Sequence, residues 1–165
     1  YYFLIQCFLV GICLPIYAVH NSTIEWGISD FLVSFLCILG IAVGYVSDTQ
    51  LYNFVEKNRI LKKLGAPPIP VLDNGLWYYS RHPNYFGEQL WWWSLAGYSW
   101  IVGQSWVTIG TIVNSVIMAQ VTILVEERMV ADASRSEAYE KYRQTTSVWI
   151  PLPKHVAKPK HVKSS

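Results

Sequence analysis

Charged residues are scarce in this chain, which argues against an ordinary water-soluble globular domain. Only 15% of the 165 residues are Asp, Glu, Lys or Arg, whereas soluble domains carry about 25%. Hydrophobic residues make up 52% of the sequence. The net charge of +2 is too small to indicate a protein that binds nucleic acid. The composition therefore predicts a membrane protein with no nucleic-acid partner.

The chain also lacks the signatures of several kinds of site. Its three cysteines lie in apolar runs without metal-ligand spacing, so the sequence predicts neither a metal centre nor a disulfide framework. It contains no nucleophile triad, no P-loop and no Gly-x-Gly-x-x-Gly loop after a strand, which excludes a Rossmann cofactor site. A nucleotide, if one binds, must be held by helices and by the segments that connect them.

Four long apolar runs account for the shortage of charge. A helix that spans a bilayer needs about 20 predominantly apolar residues. The runs cover roughly residues 1–19, 28–46, 86–102 and 107–125. They predict an all-α, polytopic membrane protein with about four transmembrane helices and with cytoplasmic amphipathic segments between and after them.

Lys and Arg are absent from one of the two predicted sides of the membrane. All 13 fall between the second and third runs or after the fourth, whereas residues 19–30 and 103–105 contain none. Because basic residues concentrate in cytoplasmic segments, both long polar segments are predicted to be cytoplasmic. Basic segments beside a membrane also suit the anionic headgroups of a lipid bilayer.

The polar segments have recognisable helix signals. Helical periodicity continues beyond the second run to Glu56 and ends at the proline-rich residues 65–70. Pro83 suits the first position of the next helix. After the fourth run, an amphipathic helix is predicted over Glu126–Tyr142. We expect residues 1–153 to form one membrane domain and residues 154–165 to form a basic, disordered tail.

Polar residues concentrate at the start of the third apolar run. The stretch from Gly75 to Trp93 contains Arg81, His82, Asn84, Tyr85 and Glu88. A lipid-facing collar of aromatic side chains, with Arg81 on a lipid phosphate, explains part of this composition. It does not explain Asn84 and Glu88, which are four apart on one helix face directed toward the third run. Since ionisable groups at membrane depth are costly and usually functional, we predict a functional site here.

A pair of acids, Glu126 and Glu127, ends the fourth run just before Arg128. Acids at a helix C-terminus oppose the helix macrodipole, so Arg81 or a ligand group is expected to compensate them. The alternative interpretation is an ordinary polar helix end. The sequence leaves both interpretations open.

Three segments of the sequence resemble those of a known family of membrane enzymes. They are Gly75-Leu-Trp-Tyr-Tyr-Ser-Arg-His-Pro-Asn-Tyr-Phe-Gly-Glu88, Glu126-Glu-Arg128, and Tyr139-x-x-Tyr142-Arg-Gln-Thr-Thr-Ser-Val-Trp-Ile-Pro151. Together they resemble the steroid 5-alpha-reductase C-terminal family, in its uncharacterised branch. The wider superfamily includes sterol reductases and isoprenylcysteine carboxyl methyltransferases, which share the Arg-His-Pro-x-Tyr element. The resemblance covers nearly the whole chain, up to Pro153.

The resemblance implies a cofactor site for NADPH between the C-terminal helices and the cytoplasmic segments. Asn84, Tyr85 and Glu88 would lie near the nicotinamide, and Arg81 and His82 would face phosphates or substrate. The implied set is completed by Asp48, Glu127, Arg128, Tyr139, Tyr142 and Arg143. Gly44 stands where the steroid reductases have an asparagine, and the arginines that follow the aspartate in those enzymes have no match in residues 49–55.

The resemblance further implies hydride delivery to a polarised C=C bond of a sterol-like or isoprenoid lipid, with no metal site. The catalytic acid of the steroid reductases comes from helices that would precede Tyr1. Two alternatives stay open at this point: an S-adenosylmethionine-dependent methyltransferase acting on a lipid or isoprenylcysteine, and a non-catalytic subunit with protein partners in a larger membrane complex. The resemblance implies a location in the endoplasmic reticulum membrane, with another organelle or a bacterial inner membrane as alternatives.

Overall fold

The computed structural model describes residues 2–155, and side chains from Phe8 onward. Five α-helices follow one another in this range, and no strand is formed within it. Their bounds are α1 Tyr2–His20, α2 Ile28–Lys63, α3 Pro83–Ile101, α4 Ile109–Ala131 and α5 Ser136–Thr145. Short 3-10 turns cover Gly75–Tyr78 and Ser105–Thr108. The all-α prediction is therefore confirmed, and most of each predicted apolar run lies in an α-helix, the fourth run beginning in the second 3-10 turn.

Two of the described helices are long and apolar enough to cross a membrane. They are α2 and the helical stretch Ser105–Ala131, and Phe8–His20 is a shorter apolar helix. Large apolar side chains on α2 lie on its surface at helical spacing: Ile28, Phe31, Leu32 and Phe35 are each at least 60% exposed. An exposed apolar stripe of this kind is expected against lipid and not against water. The length and composition of these helices thus suit a lipid bilayer.

The residues divide into two compact units. One, called here the apolar unit, contains the residues up to Tyr45 and Asn84–Ile123. The other, called here the polar unit, contains Val46–Pro83 and the described residues from Leu124 onward.

Helices α2 and α3 meet through glycine backbone in the apolar unit. A Cβ atom added at Gly87 would lie 2.6 Å from the Gly44 nitrogen and 2.7 Å from the Gly40 oxygen. A Cβ atom added at Gly40 would lie 2.7 Å from the Trp91 nitrogen. Since real Cβ atoms do not approach backbone so closely, only glycine permits this contact. The absence of a side chain at Gly87 therefore serves helix packing.

The Asn58 side chain holds the proline-rich segment of the polar unit against α2. The Asn58 side chain donates to the Ile69 carbonyl at 2.9 Å and accepts from the Ile69 nitrogen at 2.8 Å. This double hydrogen bond fixes residues 65–70, whose prolines already restrict the backbone. As predicted, α2 continues past Glu56 and ends before these prolines, at Lys63.

The prediction of one continuous amphipathic helix over Glu126–Tyr142 is wrong. Helix α4 runs on to Ala131, and α5 starts at Ser136. Between them, the Asp132 carboxylate accepts from the Ser134 nitrogen at 3.0 Å and from its hydroxyl at 2.6 Å. An aspartate that binds nearby backbone in this way competes with helical hydrogen bonds, which explains the break.

The predicted tail, residues 154–165, lies mostly outside the described residues. His155 is described, and its nitrogen donates to the Thr145 carbonyl at 3.1 Å. The Lys154 ammonium lies 4.4 Å from the centre of the Tyr78 ring and 3.7 Å from Asp73 Oδ2. These first two residues of the segment therefore pack on the polar unit.

Candidate functional site

The Arg-His-Pro element sits in a buried loop that leads into α3. Ser80, Arg81 and His82 are all less than 9% exposed. The Arg81 nitrogen donates to the Ser147 carbonyl at 2.9 Å, and the His82 nitrogen donates to the Val148 carbonyl at 3.0 Å. Helix α3 then begins at Pro83, as predicted, because proline has no N–H to leave unpaired in a first helical turn.

One carboxylate holds the two basic side chains of this loop. Arg81 NH1 lies 3.3 Å from Glu126 Oε2, and His82 Nε2 lies 3.1 Å from Glu126 Oε1. The three side chains are 8%, 7% and 12% exposed, respectively. Ion pairs that are this well screened from water depend on their partners, because a single buried charge is costly. Glu126 therefore fixes the positions of both the guanidinium and the imidazole.

Two buried tyrosines of α5 complete the cluster. Burial raises the pKa of Tyr139, and the negative charge of the neighbouring Glu126 carboxylate adds to the rise. Burial also raises the pKa of Tyr142. The Tyr142 hydroxyl donates to the carbonyls of Trp77 and Ser80. Tyr139 therefore lies near the charged group, whereas Tyr142 holds the backbone of the loop that presents Arg81.

The Arg81 guanidinium keeps unused donors. Its Nε and NH1 atoms are buried and have no hydrogen-bond partner within the described part of the chain, although NH1 lies near Glu126. An unpaired buried donor is costly, so such a group points to a missing acceptor. Chemically, a buried guanidinium with free N–H groups suits an anionic or carbonyl oxygen of a ligand.

Four of the sequence-predicted site residues come together in this cluster: Arg81, His82, Tyr139 and Tyr142. The other predicted residues of the polar unit are exposed, namely Asp48, Glu127, Arg128 and Arg143. Arg143 pairs with Glu140 at 3.0 Å. Asn84, Tyr85 and Glu88 belong to the apolar unit. There the Trp92 indole donates to Glu88 Oε1 at 3.4 Å.

Sequence reasoning placed Glu127 in the site and did not select Glu126. The expected compensation of one acid by Arg81 is confirmed, but the acid is Glu126. Neighbouring residues on a helix point about 100° apart, so only one of the pair can face Arg81. No local sequence signal separates the two acids, because the choice depends on the rotation of α4 about its axis.

Comparison with known proteins yields a family and no closer relative. The profile of the DUF1295 family, described as a protein of unknown function, matches residues 1–146. No curated protein and no solved structure matches the chain. The matched range includes the Arg-His-Pro loop, Glu126 and both buried tyrosines. The chain belongs to the DUF1295 family.

Proposed function

We propose that this chain is a membrane-embedded NAD(P)H-dependent reductase of a C=C bond in a sterol-like or isoprenoid lipid. The observation that supports it most is the buried Arg81 guanidinium, whose unused donors lie in the Arg-His-Pro loop. The resemblance of this loop to the steroid reductases supplies the reaction class. The lipid-exposed apolar helices supply a reason for a lipid substrate, since such a substrate reaches the protein through the bilayer.

The residues of the cluster fit a phosphate-bearing cofactor. Arg81 would bind an anionic oxygen of the dinucleotide with the donors that Glu126 leaves unused. Glu126 holds Arg81 and His82 in place and lowers the cost of burying them. Tyr142 keeps the loop backbone in position through two carbonyls. When bound, NADPH supplies the hydride.

The predicted cytoplasmic location of the polar segments also suits binding of a soluble dinucleotide. Every Lys and Arg of the chain lies in the polar segments assigned to the cytoplasm. NADPH in the cytoplasm would reach a site on that side without crossing the bilayer. With the resemblance, this distribution favours the endoplasmic reticulum membrane as the location.

Titration of the purified protein with two cofactors tests the proposal. We expect NADPH to raise the unfolding temperature of the protein in detergent micelles, since a ligand that binds only the native state stabilises it. S-adenosylmethionine should leave that temperature unchanged. Stabilisation by S-adenosylmethionine alone would support a methyltransferase and overturn the reductase. Stabilisation by neither would favour the non-catalytic membrane subunit.

A Glu88→Gln variant tests the implied nicotinamide end. Glu88 is exposed and bonds only weakly with Trp92, at 3.4 Å, so its replacement should hardly alter the unfolding temperature. We expect NADPH affinity to fall about tenfold, as for loss of one charge-assisted contact. Glu25→Gln, an exposed acid in the loop before α2, is the matched control. Equal NADPH affinity in both variants would remove Glu88 from the site.

A further inference from the structure

A groove in the polar unit has no role in the cluster described above and shares no residue with it. It encloses about 690 Å³, which lies within the usual range of ligand sites. One wall is the face of α2 that carries Val55, Asn58, Arg59 and Lys62. The proline-rich residues 65–70 and the Ser134–Arg135 turn form the rest.

The walls of the groove are fixed before any ligand binds. Asn58 clamps the backbone of Ile69 through two hydrogen bonds, and the prolines at 68 and 70 restrict the chain on either side. Arg135 is held at the other wall by Asp132, at 2.7 Å. A preformed groove of this kind lowers the ordering cost of binding.

The lining combines apolar surface with three cations. Val55, Ala66 and Ile69 supply apolar surface, and Arg59, Lys62 and Arg135 supply positive charge. Arg59 pairs with Glu56 and Arg135 pairs with Asp132, each at 2.7 Å. Lys62 forms no ion pair within the described part of the chain. The groove therefore has one uncompensated positive charge and further N–H donors beside an apolar surface.

We propose that this groove binds the phosphate group of a ligand that also has an apolar part, such as a nucleotide. Lys62 and Arg59 would bind the phosphate, and the apolar wall would contact the rest of the ligand. The inference goes beyond hydride transfer, because a nucleotide without a nicotinamide ring satisfies it equally.

A lipid headgroup offers the same phosphate chemistry, but the length of α2 favours a soluble source. Arg59 lies 13 residues after Val46, where the second apolar run ends. At 1.5 Å per residue this is about 20 Å along a straight helix. The headgroup layer on each side of a bilayer is only about 5 to 8 Å thick.

Binding of ADP to the full chain tests the inference. The protein is placed in nanodiscs of phosphatidylcholine, whose headgroup has no net charge, and ADP is titrated by calorimetry. Lys62→Gln should weaken ADP binding about fivefold, the loss expected for one exposed charge contact. Lys63→Gln is the matched control, since it removes the same charge from the next residue but does not line the groove. A second variant, Ala66→Trp, fills the groove without changing the charge and should abolish binding.

The ADP titrations distinguish a soluble ligand from a lipid. If Lys62→Gln and Ala66→Trp weaken ADP binding and Lys63→Gln does not, the ligand is soluble. A second result is that ADP does not bind but phosphatidylglycerol vesicles bind the protein. If only Lys62→Gln and Ala66→Trp weaken that vesicle binding, the groove is a phosphate site and the phosphate belongs to a lipid. Equal weakening in Lys62→Gln and Lys63→Gln, unchanged ADP binding in Ala66→Trp, or binding of neither probe would overturn the inference. NADPH stabilisation can persist in all these cases, so failure here is distinct from failure of the reductase proposal.

Discussion

The two units are each held together by a different kind of contact. In the polar unit, the Arg81 and His82 side chains both contact the Glu126 carboxylate, so the buried Arg81 cation is matched by an anion. In the apolar unit, the helices approach through Gly40 and Gly87, with backbone against backbone. The comparison teaches that ionic contacts set the geometry of one unit and steric contacts set that of the other. A change of charge should therefore damage the polar unit most, and a change of volume should damage the apolar unit most.

The apolar unit also contains polar atoms that its contacts leave unpaired. Ser115 donates to Gln89 Oε1 at 2.6 Å and accepts from the Trp93 indole at 3.0 Å. Gln89 Nε2 and Asn114 Nδ2 are nevertheless buried without a hydrogen-bond partner among the described residues. In the polar unit the unpaired atoms include two of the Arg81 cation beside the Thr146 hydroxyl, whereas in the described part of the apolar unit they include neutral amides and the Thr111 hydroxyl and no cation. A charged ligand is thus better suited to the polar unit.

Removing the Glu126 charge gives the largest expected effect. Glu126→Gln leaves the buried Arg81 guanidinium without its counter-charge, and we expect a loss of about 3 kcal/mol in the free energy of unfolding. Glu127→Gln is the matched control, because Glu127 is the adjacent acid and is exposed. Equilibrium unfolding in mixed micelles measures both. Similar losses in the two variants would show that the Glu126 ion pairs do not set the geometry of the polar unit.

Adding one methyl group at Gly87 tests the steric side of the comparison. Gly87→Ala forces the new Cβ against the Gly44 nitrogen, and we expect a loss of about 2 kcal/mol from overpacking. Gly44→Ala is the control: its Cβ would have nothing within 4 Å, and alanine is the better helix former. A stable Gly87→Ala protein would mean that the two helices can separate at little cost.

The helices could be predicted from the sequence, but the contacts of the site could not. Apolar runs, Pro83 and the prolines after Gly65 are local signals, and α2 and α3 end or begin where those signals indicate. The choice between Glu126 and Glu127 depends on which side of α4 faces the loop, and no local signal fixes that rotation. The break before α5 was missed because a single Asp132 side chain outweighs the helical periodicity around it. The cofactor and the reaction stay predictions.

Loss of one buried hydroxyl should have an intermediate effect. Tyr142→Phe leaves the carbonyls of Trp77 and Ser80 without this donor, and we expect a loss of about 1.5 kcal/mol in the free energy of unfolding. Because the loop presents Arg81, NADPH affinity should fall in the same variant. Tyr52→Phe, at a position that is 69% exposed, should change neither quantity. If Tyr142→Phe keeps wild-type stability, the hydroxyl does not hold the loop.

The smallest effect is expected from the ionisation of the two buried tyrosines. Burial raises the pKa of both Tyr139 and Tyr142 above the ordinary value of about 10. Above that pH the unfolded chain loses the phenolic protons while the folded protein keeps them. Their contribution to stability is therefore complete below about pH 10 and is lost as the pH rises further, by about 1 kcal/mol per tyrosine at about pH 11.

Replacing both tyrosines isolates this contribution from the ionisation of lysines. The Tyr139→Phe/Tyr142→Phe protein should lose less stability between about pH 9 and pH 11 than the wild type does, although it starts from a lower value. A Tyr52→Phe/Tyr79→Phe protein, altered at two exposed positions, should follow the wild-type slope. If the free energy of unfolding falls with pH equally in all three proteins, groups other than Tyr139 and Tyr142 cause the loss of stability at alkaline pH. That result would also mean that the phenols of the polar unit ionise as freely as exposed ones, which is incompatible with a closed, ion-paired cluster around Glu126.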